Sequence, residues 1–181
     1  MKTLYLIRHA QSAANAGGTS LPDREIPLSA EGARQAAELV CRLPANRCVF
    51  VSEMRRTHET AAPYCARHGV RPEILPCLNE FSYLPFAAVQ GLDASARKPL
   101  AEGYWQRADP HFRSGSGADT FAEFDGRVSD FLHRAWPILP HGSLLFGYGI
   151  WITLLAWRLS GNRAESAAES LLCLPENAAE F

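Results

Sequence analysis

What most constrains this chain is where its apolar runs stop. Leu4 to Ile7, Val49 to Val51 and Ser143 to Phe146 are short and strand-forming, and helical patterns alternate with them along the chain. Ser29 is a good N-cap with Glu31 in the first turn, and Ala33, Ala36, Ala37, Val40 and Leu43 follow at helical spacing until Pro44 and Asn46 break the run. Ser52 is placed to cap a second helix reaching about Arg67, closed by Gly69 and Pro72. A third helix is expected from about Asp119 to Trp136, with Phe121, Phe124, Val128, Phe131 and Leu132 on one face, and a fourth, wholly apolar, from Ile150 to Leu159. After Gly161 a short helix and an edge strand near Leu171 to Leu174 complete the pattern.

Strands alternating with helices require an α/β domain, here a three-layer α/β/α sandwich with a mostly parallel sheet covered on both faces. A chain of 181 residues fits one such domain. Its exception is the stretch Phe81 to Gly117, where Pro, Gly and aromatic residues follow no clear period, as expected of an irregular insert or lid. In that stretch Phe81, Tyr83, Phe86, Tyr104 and Trp105 read first as the insert's own small core, and second as an aromatic pocket.

Basic and acidic residues nearly cancel, 18 against 19, and no basic run appears, which argues against nucleic acid or a membrane surface as partner. The uncharged stretch Gly142 to Trp157 falls short of the roughly 20 residues that span a bilayer. Cys41, Cys48, Cys65, Cys77 and Cys173 are odd in number and scattered, so they predict neither a disulfide framework nor a zinc site, but small buried residues of a reducing cytoplasm. Oligomeric state leaves no mark in the sequence.

In parallel α/β folds ligands bind beyond the carboxyl ends of the strands. Three loops should meet at that rim: Arg8-His9 after the first strand, Ser52 to Arg56 after the second, and Gly147 to Gly149 after the fourth. An isolated Arg-His pair is more often an ion-paired cation beside a histidine satisfied by a carbonyl. At this rim a histidine can instead be a nucleophile or base, with arginine holding an anion beside it. Asn15 can donate to the same anion or serve only in a turn. Arg55 and Arg56 open a helix, where anions are favoured, although one of the two should be a solvated surface residue. Glu80, alone a surface carboxylate, could act as a general acid if it stood over a phosphate.

Together these residues resemble the histidine phosphatase superfamily, the phosphoglycerate-mutase-like proteins. Arg8-His9-Ala10-Gln11-Ser12 with Asn15 is similar to the signature Arg-His-Gly at the first strand end, with Asn six residues beyond the histidine. Pro27-Leu28-Ser29, Gly32 and Gln35-Ala36 resemble the family's first long helix. Ser52-Glu53-Met54-Arg55-Arg56-Thr57 with Thr60-Ala61 resembles its second arginine motif, which puts the phosphate-binding arginine at Arg56. Leu78 and Glu80 resemble the Leu-x-Glu that supplies the acid, and Asp119-Thr120-Phe121 with Arg127-Val128 the helix before the last motif.

The resemblance implies a phosphatase working through a phosphohistidine. His9 would attack phosphorus, Arg8, Asn15 and Arg56 would hold the phosphoryl group, and Glu80 would protonate the leaving group of a small phosphorylated substrate. Neither cofactor nor metal is called for. Two positions depart from the pattern. Ala10 replaces the glycine after the histidine, which is harmless only if φ there stays negative. Tyr148 stands where the family's second catalytic histidine is expected, after the fourth strand, so a cation is lost and one hydroxyl donor remains. His141 is no substitute, because it precedes that strand and should lie roughly 20 Å from His9 at about 3.3 Å per residue. Losing a preorganised donor of this kind costs about 10²–10³ in rate. The competing expectation is therefore an impaired homologue that binds a phosphorylated ligand or partner. A true phosphoglycerate mutase is disfavoured, because the insert shows no match to substrate-binding segments of that branch.

Overall fold

The computed structural model describes residues 2–162. Four short strands, β1 (Tyr5–Arg8), β2 (Val49–Val51), β3 (Glu73–Ile74) and β4 (Leu144–Gly147), form one sheet in the order β1-β4-β2-β3 with every pairing parallel. β1 and β4 each begin and end one residue later than the expected spans, and β3, two residues long and exposed, has no apolar signal by which the sequence could announce it.

Side chains of β2 and β4 alternate between two cores, as a pleated strand buried on both faces requires. Val49, Val51, Leu144 and Phe146 join Ile7, Ala61 and Tyr64 on one face. Phe50 and Leu145 turn the other way, into a larger cluster with Phe124, Phe131, Trp151 and Leu154. Helices α1 (Ala30–Leu39) and α2 (Arg55–His68) cover the first face, while α5 (Phe121–Asp130) and α7 (Gly149–Leu159) supply the second. This is the expected α/β architecture, a parallel sheet flanked by helices.

Ser29 caps α1 by accepting from the Gly32 N–H at 3.0 Å. Gly32 cannot carry a side chain, because a Cβ there would lie 2.0 Å from the Gln11 carbonyl oxygen. That close approach lays α1 directly on the loop after β1. The Ser29 N–H also donates to the Gln11 carbonyl at 2.9 Å, fixing the loop further.

Ser52 does not cap α2. The helix begins three residues later, with Met54 at its N-cap, because the Ser52 hydroxyl is drawn into the core by Thr57 and Tyr148. α5 starts at a capping box of Thr120 and Glu123 and continues through a wide π turn (Phe131–Ala135) into α6 (Trp136–Ile138), so the expected helix is one helical run with a wide turn near its end.

The stretch 81–117 departs most from expectation. It contains α3 (Phe86–Val89) and a 13-residue helix, α4 (Ala94–Gln106), capped by Asp93, whose side chain accepts from the Ala96 N–H. Pro99 and Gly103 lie inside α4, and one of its faces is lined by Ala94, Arg97, Lys98 and Ala101, so an apolar helical period never forms. Phe81, Tyr83, Tyr104 and Trp105 pack against Phe121 and Phe124 as core, while Phe86 stands apart from those rings. The expected helix and strand after Gly161, and Cys173, lie outside the described residues. No helix among the described residues is long and apolar enough to cross a membrane.

Candidate active site

The ends of β1, β2 and β4 lie level in the sheet, with Arg8 opposite Gly147 and Val51 opposite Phe146. Over that rim opens a cavity of about 210 Å³, lined by Arg8, His9, Asn15, Arg56 and Glu80 among others. Five residues singled out in sequence thus meet in one space. Arg55 is excluded from it: it is exposed and ion-paired with Glu59 one turn along α2.

His9 leaves β1 with its N–H donating to the Gly147 carbonyl at 2.9 Å. Its Nδ1 lies 2.7 Å from the Ala10 carbonyl oxygen, which can only accept, so Nδ1 carries the proton and Nε2 keeps its lone pair. Burial, and next the charge of Arg56, push the imidazole down to about 4. At neutral pH the ring is therefore uncharged and of one tautomer. Ala10 adopts no positive φ and donates its N–H to Thr60 Oγ1 at 3.0 Å, so the alanine in place of glycine imposes no backbone strain.

Asn15 Oδ1 accepts from the Ser12 hydroxyl at 2.7 Å and the Ser12 N–H at 3.3 Å. With its oxygen engaged, the amide nitrogen is the group left to donate toward an anion in the cavity. Arg56 is 7% exposed, and its Nη1 donates to the Asp23 carbonyl at 2.7 Å. Burial lowers the Arg8 guanidinium from its ordinary value and the Glu80 charge opposes this, so it remains a cation.

Glu80 is half-buried, and its Oε1 accepts from the Phe81 N–H at 2.9 Å. Desolvation outweighs that bond and the attraction of Arg56, so the carboxyl is raised to about 7. A neutral imidazole and a carboxylic acid that keeps its proton near neutrality face the same space. That pairing suits a nucleophile and a general acid.

Tyr148 is adjacent but differently placed. Its ring meets His9 edge-on, with centroids 5.2 Å apart, and the Arg56 guanidinium carbon lies 4.8 Å from the ring centroid. The hydroxyl bonds to Ser52 Oγ at 2.7 Å, inside the core. The expectation that Tyr148 offers a donor to a bound phosphoryl group is therefore corrected: its ring supports His9 and Arg56, its hydroxyl is spent elsewhere, and it does not line the cavity. Burial raises its phenol well above the ordinary range, so it stays neutral. His141 sits at the opposite end of the strands from His9, accepting from the Thr3 N–H at 3.2 Å before β1 begins.

Three charged lining residues escaped sequence reading. Asp23 accepts from the Ser82 hydroxyl, and Arg97 and Lys98 reach the cavity from α4. Arg97 donates to Ser20 Oγ at 2.8 Å and to the Ala14 carbonyl at 3.2 Å. Nothing in the sequence tied α4 to the loop after β1. Among the described residues no group of three or more His, Cys, Asp or Glu side chains could hold a metal ion.

Residues 4–175 match the family model described as histidine phosphatase superfamily, branch 1. The chain belongs to that superfamily. Among its curated relatives is the adenosylcobalamin/alpha-ribazole phosphatase of Escherichia coli strain K12, 30% identical, with 90% of this chain and 81% of the relative covered. The crystal structure of the alpha-ribazole phosphatase from Shigella flexneri superposes with a TM-score of 0.72 at 27% identity, covering 93% of this chain and 83% of that one. A crystal structure of phosphoglycerate mutase from Thermus thermophilus gives 0.63 at 27% identity, covering 88% and 84%. Phosphatases recur among the relatives of this histidine phosphatase superfamily member, and its fold is phosphoglycerate-mutase-like.

Proposed function

We propose that this member of the superfamily is a phosphomonoester hydrolase acting through a phosphohistidine on His9. The observation that carries the reading is the His9 tautomer: Nδ1–H held by the Ala10 carbonyl leaves the Nε2 lone pair free in a cavity shared with Arg8, Arg56 and the protonatable carboxyl of Glu80. Nε2 attacks phosphorus as the bond to the leaving-group oxygen breaks, and Glu80 gives its proton to that oxygen. The phosphoimidazolium keeps its proton on Nδ1, still donated to the Ala10 carbonyl. Water then attacks phosphorus, Glu80 takes back a proton, and the P–N bond breaks to release phosphate. Arg8 and Arg56 neutralise the charge on the phosphoryl oxygens and Asn15 donates to one of them, so the reading calls on neither metal nor cofactor.

The substrate class is a small phosphomonoester, and the named relatives make α-ribazole 5′-phosphate the first compound to assay. Acid-quench labelling tests the mechanism. An acid-labile, base-stable phosphoenzyme should form with an aryl phosphate and vanish in His9→Ala. Absence of both label and turnover across a broad substrate panel would refute it.

One observation favours a second reading, a binding homologue with little turnover. Tyr148, in the position proposed for the family's second catalytic histidine, places no donor and no charge in the cavity. Phosphate that protects the protein against thermal unfolding, without label or turnover, would establish it.

A further inference from the structure

Glu80 has to present a proton to one oxygen, yet no helix or strand carries it. From Asn79 to Pro85 the chain forms neither, so tertiary contacts must set its position. On one side Asn79 Oδ1 accepts from the Glu53 N–H at 3.0 Å. On the other, two side chains of the α5 region grip the backbone. Arg127 Nη2 donates to the Glu80 carbonyl at 3.1 Å and to Asp119 Oδ2 at 2.6 Å. The same Asp119 oxygen accepts from the Ser82 N–H at 3.2 Å, and the Asp119 N–H donates to the Ser82 carbonyl at 2.8 Å. Between the two held residues the Phe81 ring stacks on Phe124 of α5, with centroids 4.8 Å apart.

Arg127 is oriented for these bonds and not for its own best pairing. One nitrogen makes both, while its Nε is buried with no acceptor among the described residues. An unpaired buried donor costs stability, and a guanidinium that served only to pair with Asp119 would avoid the cost by bidentate contact. The Arg127–Asp119 pair is mostly shielded from water, so salt screens it less than the exposed pairs of the surface. Arg127 meets the backbone of Glu80, not its carboxyl. The charged groups that act on that carboxyl are Arg56 of α2, Asp23 of the loop after β1 and Arg8 of β1, with the phenols of Tyr83 and Tyr148 nearby.

We propose that Arg127, with Asp119 as its counter-ion, is a positioning residue for the general acid: it clamps the Glu80–Ser82 backbone so that the Glu80 carboxyl stays withdrawn from bulk water and directed at the leaving-group oxygen. It acts through Glu80 and not on the substrate. The acid role of Glu80 is taken from the phosphatase reading, whereas the clamp is a statement about where the carboxyl sits.

Two readouts keep the two statements apart. The first needs no turnover: NMR titration of protein labelled at the glutamate carboxyl carbons, with Glu80 assigned by its loss in Glu80→Gln. The wild-type midpoint should lie near 7, and Arg127→Met should lower it toward 4.5, because a released segment lets the carboxyl reach water. Loss of a nearby cation alone would raise it, so the sign separates position from charge. The second compares kcat/KM for 4-nitrophenyl phosphate, whose leaving group departs without an acid, with that for an alkyl phosphate, whose alkoxide needs one. General acids contribute about 10²–10⁴ in rate, so Arg127→Met should lower the alkyl-to-aryl ratio by ~10–100-fold. Arg127→Lys, whose ammonium can reach the same two oxygens, should recover part of it. In a Glu80→Gln background Arg127→Met should change the ratio no further. Asp119→Asn should reproduce both effects more weakly and serves if Arg127→Met does not fold. A midpoint unmoved or raised overturns the clamp. So does an equal fall for both esters, which would make Arg127 a strut of α5, or a further fall of the ratio in the Glu80→Gln background. A lowered midpoint in a protein that turns over neither ester would keep the clamp and refute the phosphatase reading.

Discussion

Glu80→Gln should make this protein more stable at alkaline pH and leave it nearly unchanged in acid. The carboxyl is raised from 4.5 to about 7, first by desolvation, so burial disfavours its ionised form. A folded value above the unfolded one means stability is fully present below pH 4.5 and is lost as pH rises through about 7. Each tenfold in acidity is worth about 1.4 kcal/mol, which caps the penalty at roughly 3 kcal/mol. The carboxyl faces cavity water in part, so about 2 kcal/mol is the working figure. Glutamine keeps an amide oxygen for the Phe81 N–H and never ionises, so it escapes this penalty.

Urea denaturation of wild type and variant at about pH 4.5 and about pH 8, on either side of that window, would read it. Other groups titrate in both proteins and cancel in the difference of differences, leaving the Glu80 contribution. In thermal terms about 2 kcal/mol corresponds to some 4–8 °C for a chain of this size. A variant equally shifted at both pH values, or destabilised at the alkaline one, would show that Glu80 is ionised at little cost. It would then be a poor candidate for a general acid.

Three further outcomes follow from the site. kcat/KM for a phosphomonoester should be bell-shaped, falling below about 4 as His9 protonates and above about 7 as Glu80 ionises; limbs outside that window would reject the role assignments. Tyr148→Phe should cost about 1 kcal/mol by removing the bond to Ser52 yet change turnover less than about twofold, measured by urea melts and steady-state rates. Gly32→Ala should destabilise by roughly 2–4 kcal/mol and depress activity together, because its Cβ would drive the Gln11 carbonyl and the loop after β1 out of place; a silent Gly32→Ala would contradict the packing described.

β1, β2 and β4, the helices of the first face and the meeting of Arg8, His9, Arg56 and Glu80 were readable because each rests on local pattern. Val49 to Val51 are apolar and buried, Ser29 caps α1 from within its own turn, and motif residues sit at strand ends that parallel pairing must bring level. What escaped reading depends on distant partners. α4 is helical without an apolar stripe because the face it turns inward borders a polar cavity. Ser52 looked like a cap, and it fails to be one because Tyr148, 96 residues away, claims its hydroxyl. Arg97 shows its role only once Ser20 and Ala14 are beside it.

Position 148 bears on both charge and packing. A histidine there would bring a charge toward His9, whereas the tyrosine brings a neutral ring and a hydroxyl turned into the core. Under the proposed mechanism, a transition state without a second cation would lose stabilisation. His9 also escapes a further charge that would depress it below about 4, so its lone pair stays more basic than it would be beside an imidazolium. In the proposed mechanism, attack on phosphorus would be helped by basicity and hindered by weaker charge balance, and the two effects can be separated. Tyr148→Phe changes the hydroxyl alone and Tyr148→His also changes the charge, so turnover that rises only in the histidine variant assigns the deficit to charge. A loss shared by both would instead make the Ser52 bond, and the placement of Arg56 against the ring, the feature that holds this site together.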